Sequence, residues 1–226
     1  TMGNDGINLF FTRNSTISNS NITTGKGLAI FLYPNSSNSV INNNIIRTTG
    51  NNDYGIFLLT SSNSNITGNN ITTLGSDAYA IHLSSSSRNE IILNNMTTAA
   101  NTAYNLYLLS SSNNNITSNT ISTAGTSAYG IYLQSSNFNI LTNNTIKTSG
   151  ITGHGIIINS ALTSNTFSGM IIITSNTGNP IYISSTYANF TISDSILNAS
   201  ALGTSDFYIL SGITGGRNAK TNIWWE

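Results

Sequence analysis

The chain has 226 residues, of which only 6% are charged, and its formal net charge is zero. Nucleic acid and anionic membranes are therefore excluded as partners, because either needs clustered Lys and Arg. A hydrophobic content of 38%, with Ile dominant, argues for one well-buried domain rather than disorder, and zero cysteines exclude disulfides and thiolate metal sites.

From the N-terminus, Ile7 to Gly27 and Leu28 to Asp53 read as two loose copies of a unit that becomes strict afterwards. Tyr54, Tyr79, Tyr104, Tyr129 and His154 recur every 25 residues. Ile56, Ile81, Leu106, Ile131 and Ile156 form a second column, and Leu58, Leu83, Leu108, Leu133 and Ile158 a third. Ile66, Ile91, Ile116 and Leu141 make the fourth, and Ile71, Met96, Ile121 and Ile146 the fifth. Within a unit the apolar residues alternate, which is the strand period, and Ser/Asn/Gly-rich corners separate three short runs. Hairpins would call for Asn-Gly turns, and none occurs. The alternative is a coil in which each strand pairs in parallel with its own copy one turn later, rising about 4.8 Å per turn. After His154 the first corner is expected to shorten, with Leu162 taking the place of the fourth column, before Ile181 to Leu197 and Phe207 to Leu210 resume the pattern. The repeat is assigned to residues 1–211 and a non-repetitive tail to 212–226.

One corner carries a column of asparagines: Asn69, Asn94, Asn119 and Asn144, with Asn43 and Asn165 placed equivalently outside the strict block. Asn tolerates the left-handed conformation of a tight bend, and its amide can bond to the same amide in the next turn. The column resembles the asparagine ladder of right-handed parallel β-helices of the pectate-lyase-like superfamily. The 25-residue unit resembles the β-helix repeat of bacterial and archaeal surface proteins. The resemblance spans nearly the whole chain and implies an all-β, single-stranded right-handed solenoid of about eight to nine turns. It is almost silent about activity.

Candidate chemistry is sparse. The carboxylates scatter, and only Asp53 and Asp77 fall near each other in successive corners; they are a weak candidate pair for Ca²⁺, against the plainer reading of solvated turn acids. Gly153-His154-Gly155 is similar to a polygalacturonase motif, but the Asp-Asp pair and Arg-x-Lys segment that accompany it in that family have no match. No catalytic residue, no resident metal and no cofactor are assigned, and the chain is expected not to be an enzyme. Asn-x-Ser/Thr sequons occur at about the density that chance gives for this composition. An ice-binding face is disfavoured because Ile92 breaks the column Thr67, Thr117, Thr142.

The outward column of the first strand is more informative. It runs Phe31, Phe57, His82, Tyr107, Tyr132, Ile157, Tyr182 and Tyr208, flanked by the small Gly55, Ala80, Gly130 and Gly155. This predicts an exposed, largely apolar stripe about 35 Å long that a partner could approach. The tail offers Ile223, Trp224 and Trp225 as a second contact, folding over its own last turn or reaching a neighbouring subunit. Low charge, richness in Asn, Ser and Thr, and the lack of an apolar run of membrane-spanning length fit a mature or excised extracellular or cell-surface product without membrane insertion. The leading expectation is a structural protein that assembles with copies of itself into a sheath, surface layer or fibre. The alternative is a carbohydrate-binding or carbohydrate-active module, with a cell-surface polysaccharide as partner.

Overall fold

A computed structural model describes residues 5–159, 162–184 and 188–199, together with the backbone of strands Phe207–Ile209, Asn218–Ala219 and Trp224–Trp225. The chain winds as a β-solenoid of three parallel sheets, each of nine strands. The first sheet runs from Ile7–Phe10 through Ile30–Tyr33, Ile56–Leu59 and Ile81–Ser84 to Phe207–Ile209. The second begins at Thr16–Ser18 and the third at Asn21–Thr24, so each turn contributes one strand to each sheet before the chain rises. The described residues contain no helix.

Register follows the sequence columns. Ile81 pairs with Ile56 and Leu106, and Ile91 with Ile66 and Ile116. Identical apolar side chains stack inside the tube, and the Ile and Leu of every column are buried there. The corners use left-handed residues: Asn52, Asp77, Thr102, Ser127 and Thr152 mark one bend, and Asn43, Gly68, Leu93, Ser118 and Asn143 another. At the corner leading back to the first sheet, a Thr hydroxyl donates to a carbonyl five residues on, as from Thr73 to Ala78 at 2.7 Å and Thr123 to Ala128 at 3.1 Å.

One sequence expectation needs correction here. The corner after His154 does shorten, from five residues between Gln134 and Ile140 to two between Asn159 and Leu162, but Leu162 does not take the fourth-column place. Leu141 pairs with Phe167, not Leu162, and the strand Leu162–Ser168 is a seven-residue element with a register irregularity between Leu162 and Asn165. One extra residue is absorbed by that bulge, and Phe167 fills the core position. The tail also does more than trail off, since Trp224 and Trp225 pair with Ile196 and Leu197, and Asn218 and Ala219 with Thr191 and Ile192. This stretch of the tail therefore winds on as a further turn; Ile223 lies outside the described residues.

Candidate functional site

Corner geometry fixes which side chains reach the surface. In the asparagine ladder the Asn119 Oδ1 accepts from the backbone N–H and the side-chain Nδ2 of Asn94, at 2.9 and 3.1 Å. Its own Nδ2 donates to Asn144 Oδ1 at 2.9 Å and back to the Ile91 carbonyl at 2.8 Å. Each amide thus ties three successive turns. The first member is Asn44, which donates to Asn69 Oδ1 at 2.9 Å; Asn43, one residue earlier, is the exposed left-handed bend. Asn165 belongs to a different ladder at the corner between the first and second sheets, where Asn89, Asn114, Asn139 and Asn165 bond in series. The displaced placement follows from the Leu162 misalignment, because with Phe167 as the core residue Asn165 falls opposite Asn139.

The predicted stripe is not an open face. Phe31, Phe57, His82, Tyr107 and Tyr132 stack one turn apart at 4.6–5.0 Å, and Tyr54, Tyr79, Tyr104 and Tyr129 form a second row at 4.7–4.9 Å. The rows meet edge to face, as in Tyr79 against His82 at 5.5 Å and Tyr104 against Tyr132 at 5.2 Å. His82 and Ile157 are consequently buried and the other rings half-buried. The flanking small residues answer an inward need. A Cβ on Gly130 would lie 2.4 Å from Ile146 Cγ2, so the column is small to let the sheets approach. Tyr182 is half-buried against His154 at 4.4 Å; the backbone of Tyr208 pairs with Tyr182, and its side chain is outside the described residues.

Burial sets the electrostatics of this array. It lowers His82 to about 4, and neither ring nitrogen has a hydrogen-bond partner among the described residues. It lowers His154 to about 4 as well, and there Nδ1 accepts the Asn179 N–H at 2.9 Å. His154 therefore acts as a ring in the stack. Desolvation, reinforced by Tyr132, pushes Tyr107 up to about 12, and its hydroxyl donates to Gln134 Oε1 at 2.5 Å.

The covering row of tyrosines starts only at Tyr54. In the two turns before it, the same outer position is Leu28 and Asp5, and a cleft of about 920 Å³ opens there. Aromatic residues reappear one outward place further along the strands, as Phe10 and Tyr33, 58% and 38% exposed. Phe31 stacks on Tyr33 at 5.4 Å and on Phe57 at 5.0 Å, so the cleft is walled by ring faces and edges. Its charged groups are Asp5, Lys26 and Asp53, with Asn8, Asn51 and Asn52 beside them. Asp5 is engaged locally, with Oδ1 accepting the Leu28 N–H at 2.7 Å and Oδ2 the Asn8 amide at 3.1 Å. Asp53 is 7% exposed, and its Oδ2 is buried without a hydrogen-bond partner among the described residues. Gly50 makes room for it, since a Cβ there would stand 2.0 Å from that oxygen. Asp77 is a left-handed corner residue one turn on, and no group of three or more His, Cys, Asp or Glu among the described residues is arranged to hold a metal.

Sequence reasoning singled out Phe31 and Asp53 but missed that they share a site with Phe10, Tyr33, Asp5 and Lys26. The available signal was the break of the Tyr column at Leu28, coinciding with aromatics at Phe10 and Tyr33.

A family model described as a right-handed β-helix region matches residues 1–96 and 47–197. No curated protein matches the chain. Among solved structures, the periplasmic alginate epimerase AlgG and its double mutant each superpose with a TM-score of 0.75 at 16% identity, covering 93% of this chain. The chain spans about half the length of those proteins, 50% in each case. A Dettilon tailspike protein aligns over 97% of this chain and 61% of its own, at 13% identity and a TM-score of 0.40. The AlgG match overturns the expectation that the chain is not an enzyme. That exclusion rested on scattered carboxylates, yet the same fold across nearly the whole chain is the fold of an enzyme.

Proposed function

The chain belongs to the right-handed β-helix family, and we propose that within it this protein is a carbohydrate-recognising module that works outside the cytoplasm. A glycan strand lies in the cleft of the first turns, with pyranose faces against Phe31, Tyr33 and Phe10 and its hydroxyls toward the polar wall. The carrying observation is that cleft: exposed ring faces beside Asp5, Lys26 and Asp53 on a rigid sheet. Aromatic rings offer large apolar area at low conformational cost, while a few fixed polar groups set orientation. AlgG is a periplasmic epimerase of alginate, a polysaccharide, which supports the same class of ligand and compartment.

The test is a binding titration with soluble oligosaccharides against the intact chain, paired with the double variant Phe31→Ala and Tyr33→Ala. Stacking on a ring contributes on the order of 1 kcal/mol, so the double variant should bind at least tenfold more weakly. Any turnover of the same saccharide should fall with it. Unchanged affinity in a folded variant would remove the cleft from the function.

A further inference from the structure

We propose that the tyrosine rows are a site of oxidative cross-linking, where phenols of successive turns join by a carbon–carbon bond and staple the solenoid, the oxidant being a haem peroxidase with hydrogen peroxide. The proposal goes beyond the carbohydrate reading and does not depend on it. Tyr54, Tyr79, Tyr104 and Tyr129 lie face to face at 4.7–4.9 Å, with planes within 12° of parallel. Tyr107 and Tyr132 do the same at 5.0 Å and 11°. Neighbours in a row are 25 residues apart in the chain, so the register of the sheet brings them together.

The chemistry asks for this arrangement. Oxidation takes one electron from each of two phenols, and the hydroxyl proton leaves with it. The resulting phenoxyl radicals pair through carbons ortho to oxygen, whose p orbitals project perpendicular to the rings. Stacked rings therefore face each other along the direction in which the bond forms. Each bonded carbon then passes its hydrogen to the oxygen as the phenol is restored. Two hydrogens are lost overall, and one peroxide is reduced to two waters. A coupling partner already in contact replaces a bimolecular encounter. The hydroxyls of Tyr54, Tyr79 and Tyr104 bond to no described side chain and are not among the buried polar atoms, so the proton has water to leave to. Burial holds the Tyr79 and Tyr104 phenols above their ordinary pKa, which makes the proton leave with the electron rather than before it. With no cysteine in the chain, disulfides cannot bridge the turns. Tyr33 is a built-in control: it is 38% exposed, yet its ring neighbours are Phe10 and Phe31.

The experiment treats the dilute intact chain with a haem peroxidase and hydrogen peroxide, then reads dityrosine fluorescence, intact mass and cross-linked peptides. The wild type should stay monomeric on a denaturing gel and lose hydrogens in pairs. Its cross-linked peptides should join row neighbours between Tyr54 and Tyr132 and leave out Tyr33. Like a disulfide closing a loop of similar length, the bond should raise the melting temperature by about 5 °C or more. Tyr79→Phe with Tyr129→Phe keeps every ring in the stack and should confine these bonds to Tyr107 and Tyr132. Adding Tyr107→Phe should cut them about tenfold or more at unchanged circular dichroism, whereas Tyr33→Phe should change nothing. Tyrosines that gain oxygen without coupling, or bonds formed only between molecules, overturn the proposal. Row cross-links that persist in the triple variant do so too. If that variant fails to fold, bonds in the double variant that map anywhere but Tyr107 and Tyr132 overturn it instead. A cross-linked protein that melts with the untreated one overturns the staple.

Discussion

Asn119 shows how much one residue type does in this molecule. Its amide accepts twice from Asn94 and donates to Asn144 and Ile91, so the turns from Asn44 to Asn144 are held at the corner between the second and third sheets by buried side-chain bonds. Asn119→Ala would strand the Asn94 backbone N–H and remove one bond each from the Asn94 amide, the Asn144 Oδ1 and the Ile91 carbonyl, without adding packing. The expected cost is on the order of 1–3 kcal/mol, read as a lower denaturant midpoint at unchanged slope. A midpoint equal to wild type would show that the ladder is not a stabilising element. The strict members were legible from the sequence because the period places them at the same phase as flanking Ile residues. Asn42, Asn43 and Asn44 stand together, and the choice of Asn43 is one residue out of phase: Asn44 lies 25 residues before Asn69, as Ile41 lies 25 before Ile66 with which it pairs. Leu93 and Phe138 illustrate the opposite case, as exposed apolar residues in left-handed bends that neighbouring turns fill with Gly, Asn or Ser.

The aromatic element is a double row, and its two histidines are the groups that titrate in an accessible range. His82 lies between Phe57 at 4.6 Å and Tyr107 at 4.7 Å with both nitrogens unpartnered among the described residues. Its pKa is depressed by burial from 6.5 to about 4, so the unfolded chain binds a proton that the folded chain refuses. Stability from this source is therefore fully present above about pH 6.5 and is lost as pH falls toward 4. The loss from His82 is on the order of 2–3 kcal/mol, and His154 acts in the same direction. His82→Phe, which repeats the residue type of Phe31 and Phe57, should flatten the decline in urea midpoint between pH 7 and pH 4.5 relative to wild type. Identical declines in both proteins would mean that His82 is solvated. The column itself was readable from sequence; its covering was not. Alternation assigns a residue to the outward side of a strand, but it says nothing about a side chain from the preceding corner, here Tyr54 and its repeats, folding across that side.

At the scale of the whole molecule, the 25-residue period is the quantity that the sequence stated most clearly and that the three sheets realise. The cleft escaped notice for the complementary reason: it lies where the period is loose, with Ile30 paired to Ile7 at a spacing of 23 and to Ile56 at a spacing of 26. It is made by residues that the repeat leaves out. This separation between a regular shaft and an irregular, functional end gives a test of both. Residues 101–125 form one complete turn, and removing them joins Ala100 to Thr126 with every column in phase: Tyr79 would meet Tyr129, Ile81 would meet Ile131, and Asn94 would donate to Asn144. Because each turn touches only its neighbours, stability should fall by about the share of one turn while the fold persists. The shortened protein should keep its β-sheet circular dichroism per residue and a single unfolding transition a few degrees lower. Removing 101–126 instead takes one more residue from the corner before Tyr129, an offset that must be absorbed locally as the extra residue is between Leu162 and Asn165, so that variant should fold with a larger loss of stability than the in-phase deletion. Glycan binding should survive the in-phase deletion unchanged, because the cleft residues lie between Asp5 and Asp53 and none of them contacts the removed turn. Loss of binding with the fold intact would instead place the ligand along the aromatic rows of the shaft.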